Sequence, residues 1–263
     1  MPNITVRPAS LRAVFWFEWH RSMTPFRISA WLVLVLFTPA LIQAAHLRSE
    51  SYLSDPVLGS LVFFLITEVT CLLGLLLWGT PLILSELEAN SWLYVAVRPG
   101  GRLHLLLGKY ANAVLWVFMA AFTSMSLTAI SSRYIVADVF PLWAVVVILS
   151  ALGSLSYGAL FCLIAVAFPK RSMVIAVSYV LVFEFLVSFV PATINRLTIL
   201  YRLRTLLMQW MGWMEDLPPS AQLFLSDAPA WYNVMVVLGF AAAYLALAAL
   251  IIQLREYLTH VPD

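Results

Sequence analysis

Charge is what this sequence has least of. Its 263 residues include only 15 Lys or Arg and 13 Asp or Glu, 11% of the chain, whereas 63% are hydrophobic. The mean hydropathy is +0.94. So little polar surface cannot cover a water-soluble particle of this length, which excludes an ordinary soluble domain and makes lipid the solvent. The net charge of +2 is small and the basic residues are scattered, so nucleic acid is excluded as a partner. Cysteine is equally scarce. Cys71 and Cys162 both fall inside apolar runs and are expected to be free thiols packed as small hydrophobes, with no disulfide framework. The four histidines, His20, His46, His104 and His260, share no i, i+4 spacing, so no metal site is expected. No serine has a nucleophile-elbow context, and no catalytic residue is expected. No cleavable signal peptide is expected either, because the first apolar run begins near Ile28 with no small-residue cleavage site behind a short core.

What is present is a series of runs long enough to cross a bilayer, about 20 residues each. Six are expected: Ile28–His46, Ser60–Leu84, Leu105–Ile130, Phe140–Phe168, Met173–Ile194 and Trp231–Leu254. Strand-period alternation is absent and an open sheet cannot satisfy its backbone in lipid, so the expected fold is an all-α polytopic membrane domain. With the N-terminus inside, the inner segments hold Arg7, Arg12, Arg21, Arg27, Arg98, Arg102, Lys109, Lys170, Arg171 and Arg255. The outer ones hold Arg48, Arg133, Arg196, Arg202 and Arg204. That bias places both termini in the cytoplasm, with FPKRS at Phe168–Ser172 its clearest signal.

Four segments do not span. Residues 10–25 mix Trp16 and Trp19 with Arg12, Glu18 and Arg21. Ser10 can cap such a helix and Pro25 can end it. It suits a helix in the interface plane, or a simple aromatic anchor for the first span. Residues 195–230 form a long connection expected to hold one or two short amphipathic helices dipping into the outer leaflet, or a helical cap on the bundle. Residues 85–102 open on Ser85 and Glu88 in the spacing of a capping box, followed by a short helix over Ala89–Val97 and a turn at RPGGR. Lys109 is then expected to snorkel back to the surface. The tail REYLTHVPD is short and polar.

Gly108–Lys109 ends no phosphate-binding loop, because Leu103 stands where that loop needs its first glycine and Tyr110 where it needs a hydroxyl. Glu68 and Glu184 are the only carboxylates at membrane depth, where an ionised acid is costly. No cation is expected at their depth. They are candidates for a pathway, for contact with each other, or for structural hydrogen bonds between helices. Ser150, Ser154 and Gly158 form an i, i+4, i+8 stripe of small residues, suited to a close helix contact within the bundle or between two copies.

The stretch from Ser85 to Lys109 resembles the segment after the second span in ABC-2 type transporter permeases, the membrane subunits of ATP-driven exporters. That family tends to show an acidic pair, a Gly-Thr or similar, an apolar helix, a Pro, an Arg, and a Gly-Lys opening the third span. Here stand Glu86 and Glu88, Ser91, Leu93, Pro99, Arg102, and Gly108 with Lys109, with Asn90 where a glycine is usual. The N-terminal helix with Arg12, Glu18 and Arg21 is similar to the family's elbow helix, and the six spans with a long connection before the last extend the likeness over nearly the whole chain. The resemblance implies an inner (cytoplasmic) membrane subunit that pairs with a second copy or a related permease in a lipid bilayer. It implies two soluble ATPase subunits that supply the ATP and Mg chemistry, since this chain has no nucleotide motif and no cofactor of its own. Residues 85–102 would be the coupling helix, with Glu86, Glu88, Ser91, Leu93, Pro99 and Arg102 facing the ATPase. Two other functions stay open at this point: a proton-coupled secondary transporter using Glu68 and Glu184, and a membrane assembly factor with no transport cycle.

Overall fold

Apolar runs of this length have one way to satisfy their backbone in lipid, and every regular element among the described residues is helical. The computed structural model describes residues 11–48, 55–132, 139–186, 198–214 and 225–257. Arg7, the Ser10 cap, residues 49–54, Arg133, the end of the expected fifth span with Arg196, the segment 215–224 and the tail from residue 258 lie outside the described residues.

The order is α1 (Leu11–Ser22), α2 (Pro25–Arg48), α3 (Asp55–Phe63), a first π-helical segment (Phe64–Thr70), α4 (Cys71–Trp78), α5 (Leu84–Glu88) and α6 (Trp92–Ala96). Then follow α7 (Gly101–Ser132), α8 (Val139–Ala167), a 3₁₀ turn (Pro169–Arg171), α9 (Ser172–Tyr179), a second π-helical segment (Val180–Leu186), α10 (Ile199–Met211) and α11 (Ala230–Leu254). Five helical stretches are long and apolar enough to cross a membrane: Pro25–Ala45, Pro56–Trp78, Gly101–Ser131, Val139–Ala167 and Ala230–Leu254. The chain is thus an all-α, multi-pass membrane protein. The second span stops at Trp78 rather than Leu84, because Gly79 to Ile83 turn the chain and Pro81 cannot donate to a continuing helix. Pro25, expected to end α1, opens α2.

α8 is the central helix, packed against α4, α7, α10 and α11. Its small-residue stripe is spent inside the bundle. Ser150 Oγ lies 3.0 Å from Thr67 Oγ1, and Ser154 Oγ donates to Ala151 O within its own helix. A Cβ at Gly158 would stand 2.8 Å from Val114 Cγ2 and 3.3 Å from Tyr110 Cε2, so α7 approaches α8 there as closely as a glycine permits. Cys71 and Cys162 are free and buried, as the composition led us to expect.

Gly158→Leu forces a branched side chain into that contact. It is expected to lower stability by roughly 1–3 kcal/mol, read as a drop in the thermal unfolding temperature of the detergent-solubilised protein, with Gly239→Leu, where a Cβ meets open space, as the unaffected control.

Candidate functional site: a charged junction at one end of the bundle

The N-terminal helix does not lie apart from the spans. At Gly108 an added Cβ would meet Val14 Cγ1 at 2.7 Å and approach the Phe15 backbone nitrogen at 3.5 Å, so α1 presses directly on α7. Indole rings hold it there. Trp19 stacks on Trp116 with centroids 4.8 Å apart, Trp78 stacks on the same ring at 6.2 Å, and Trp31 meets it edge-on at 6.4 Å. Four elements, α1, α2, α4 and α7, are thereby fastened around one side chain. The outer face of α1 leaves Leu11, Arg12, Trp16 and Phe17 exposed, the composition of a helix facing the membrane interface.

Beside this stack the chain turns at residues 79–83 and lays α5 and α6 across the end of the bundle. Of the expected helix over Ala89–Val97 the structure forms Trp92–Ala96, the one-turn α6, and Asn90 at φ 50° separates it from the equally short α5. That left-handed backbone is taken most readily by glycine and next by asparagine.

Four charges meet beneath α5. Lys109 Nζ donates to Glu86 Oε1 at 2.7 Å, to Ser85 Oγ at 2.9 Å and to Leu82 O at 2.9 Å, which uses all three of its N–H bonds. Arg21 Nη1 reaches the same Glu86 oxygen at 2.7 Å and Glu18 Oε1 at 3.5 Å, and Glu18 lies 3.8 Å from Lys109. Ser91 Oγ donates to the other Glu86 oxygen. Two carboxylates and two cations therefore alternate and cancel, with Glu18, Glu86 and Lys109 all buried. Burial alone would raise the Glu86 carboxyl. Lys109, Ser91 and Arg21 outweigh it and hold Glu86 at about 2. Arg21 is desolvated too, yet Glu86 and Glu18 raise its guanidinium above the ordinary value.

Several expectations change here. Lys109 does not snorkel to the surface; at 6% exposure it points inward, because a buried carboxylate and two oxygens offer more than the headgroup region. Ser85 and Glu88 form no capping box. α5 begins at Leu84 without a side-chain cap, and Lys109 has taken the Ser85 hydroxyl, leaving Glu88 exposed at the helix end. Glu86 is buried among its partners, and Arg102 is half-buried. Arg102 Nη1 donates to the carbonyls of Ile252, Gln253 and Arg255, and its guanidinium lies 5.8 Å over the Trp92 ring, so it closes the C-terminus of α11. The expected site residues that remain outward are Glu88, Leu93 and Pro99, while Ser91 is half-buried.

A second polar locus lies midway along the Pro56–Trp78 span. Sequence inspection placed no cation there, but Arg204 of α10 donates its Nε to Glu68 Oε1 at 3.3 Å. α10 runs antiparallel to α3, since Arg204 meets Glu68 and, nine residues on, Trp213 covers Gly59 nine residues earlier. The helix is therefore packed into the bundle alongside residues 59–68, with Thr198 capping one end and Gly212 at φ 73° closing the other. Its first turn is met by Glu184, which accepts from Leu200 N at 3.1 Å and Tyr157 Oη at 2.9 Å. Glu68 and Glu184 each occupy a π-helical segment, a form concentrated at functional positions. They bond α10, not each other. Arg202 is held by Asn233 Oδ1 at 2.8 Å.

The indole stack and the Arg204 pairing were missed. Ten tryptophans in one chain were a visible signal for the first; no sequence signal places an arginine of a connecting segment at mid-span.

Lys109→Met leaves two buried carboxylates with Arg21 alone and is expected to cost roughly 3 kcal/mol, much of it recovered in Glu86→Gln/Lys109→Met. Chemical denaturation of the three proteins measures this. The folded Glu86 value of about 2 lies below its ordinary 4.5, so its stabilisation is complete above pH 4.5 and is lost as pH falls through about 2. Between pH 7 and pH 3 the unfolding temperature is expected to fall less steeply in Glu86→Gln than in the native protein.

Among known proteins, no family model and no curated sequence matches this chain, so the junction is interpreted from its own geometry.

Proposed function

We propose that this chain is the membrane subunit of a transporter driven by a separate soluble ATPase, seated in the inner membrane with both termini cytoplasmic. The observation that carries this is α6. Leu93, Tyr94 and Val97 are 62%, 75% and 79% exposed on a short helix at the bundle end, flanked by Glu88, Arg98 and Pro99. An apolar patch with a polar rim is the composition of a protein contact. Its backing is stiff: Trp92, 3% exposed, packs edge-on against Tyr257, and the α5 side is fixed to α1 and α7 by the charge cluster. Beside it a groove of about 320 Å³, lined by Val14, Phe17, Tyr94 and Val95, is wide enough for an apolar side chain of a partner.

In this scheme Leu93, Tyr94 and Val97 make the contact, Glu88 and Arg98 set its register, and Glu86, Lys109 and Arg21 pass displacement of α5–α6 into α1 and α7. ATP and Mg belong to the partner, present in two copies opposite two membrane subunits. Cargo moves outward or is extracted from the bilayer. The resemblance of Glu86, Glu88, Ser91, Leu93, Pro99, Arg102, Gly108 and Lys109 to ABC-2 permeases supports the scheme. The departure at Asn90 does not weaken it, because the φ of 50° there suits asparagine as well as glycine.

A proton-coupled carrier is the second reading, favoured by one observation: Glu68 Oε2 is buried with no hydrogen-bond partner. Loss of proton-gradient-dependent, ATP-independent transport in Glu68→Gln would establish that reading instead.

The test is co-purification of a soluble ATPase from cells that express this chain. Leu93→Asp/Val97→Asp is expected to abolish retention of the ATPase while leaving the unfolding temperature within about a degree, since both residues are solvent-facing. An ATPase that is never retained by the native protein, or transport untouched by the double variant, sinks the proposal.

A further inference from the structure

A second groove opens at the same end of the bundle, separate from α6. It holds about 370 Å³ and is walled by Leu87, by Ala167 to Arg171 after α8, and by Arg255, Glu256 and Tyr257 after α11. Three cations, Lys170, Arg171 and Arg255, face one carboxylate, Glu256. Part of the wall is fixed in advance. Arg255 donates to Ala167 O and lies over the Tyr257 ring at 5.4 Å, while Tyr257 Oη donates to Val166 O at 2.8 Å. Lys170 and Arg171 are exposed and have no ion-pair partner among the described residues. None of these residues belongs to the charged junction.

The surroundings decide what such a groove holds. It lies where two spans end, at Ala167 and Leu254. Phe168 in its wall is 54% exposed, and the residues next along the chain from its walls are apolar and exposed as well: Met173 55%, Val174 67% and Leu254 76%. Cations that face an open cavity beside side chains bathed in acyl chains match an amphiphile with an anionic head, and basic pockets between spans are where such headgroups bind. A soluble acidic partner would match the cations but not the lipid-facing rim.

We propose that this groove binds the phosphate headgroup of one anionic phospholipid, with Lys170 and Arg171 as the recognising cations, Arg255 as the fixed wall, and the acyl chains lying along Phe168, Met173 and Leu254. The site couples the membrane's charge to the turn that joins α8 and α9. It adds a ligand that the ATPase contact does not require.

The experiment uses the purified full chain without any ATPase, so its outcome is independent of the proposed coupling function. Native mass spectrometry counts retained lipids, and thermal unfolding is followed in nanodiscs of phosphatidylcholine with or without phosphatidylglycerol. The native protein is expected to retain one phosphatidylglycerol and to gain stability from it over phosphatidylcholine alone. Lys170→Ala/Arg171→Ala is expected to weaken that retention roughly 30-fold, the equivalent of about 1 kcal/mol for each cation. Lys170→Arg/Arg171→Lys is expected to keep it. Equal retention of both lipids by the native protein overturns the proposal, as does undiminished phosphatidylglycerol binding by the double alanine variant. Equal protection by inorganic phosphate in detergent assigns the groove to a free anion and overturns the lipid.

Discussion

The structure depends on a carboxylate in the wrong solvent. Glu86 is 4% exposed at the end of an apolar bundle, and such a charge persists only if cations and donors converge on it. They come from three separate places in the chain: Arg21 from α1, Ser91 from the start of α6, and Lys109 from the first turns of α7. Each would be an expensive burial alone, and together they neutralise one another. The constraint explains why a helix before the first span, a charged loop after the second and the opening of the third occupy one place. It also explains why α5 and α6, only five residues each, are held in position despite being too short to be stable helices by themselves.

The two polar loci have different characters. At the bundle end the charges are matched two against two, with hydrogen bonds to spare. Midway along the spans the acids sit in π-helical segments, and α10 reaches both of them. Glu68 has one paired oxygen and one without a partner, whereas Glu184 gathers Tyr157, Tyr179 and a backbone amide. The first arrangement joins elements at the bundle end; the second ties α10 to the middle of two spans.

The helical class and five of the expected spans were legible because lipid forces a simple code: length, apolarity and helix. Five stretches follow that code, and the sixth is described only as far as Leu186. Residue identities at the junction were legible too, in Glu18, Arg21, Glu86 and Lys109. Their mutual contact was not, since a linear pattern records which residues are polar but not which way a helix is turned. Lys109 illustrates this: a lysine one turn from a membrane end snorkels or turns inward according to what the neighbouring helix offers, and here that is Glu86 and Ser85. The π-helical segments left no mark on composition, because FLITEVT and VLVFEFL are as compatible with ordinary α-helix. Arg204 was assigned to a surface connection by its charge, when pairing with Glu68 let it enter the bundle.

Arg102 has a mechanical meaning. By closing the carbonyl end of α11 from the first turn of α7, it ties the last span to the third, while Arg255 and Tyr257 reach the final carbonyls of α8. With α1 and α5 held to α7 by the charge cluster, five helices, α1, α5, α7, α8 and α11, are joined at one end of the bundle by side-chain bonds. A force applied to α5 there would be shared among them instead of being carried by one helix.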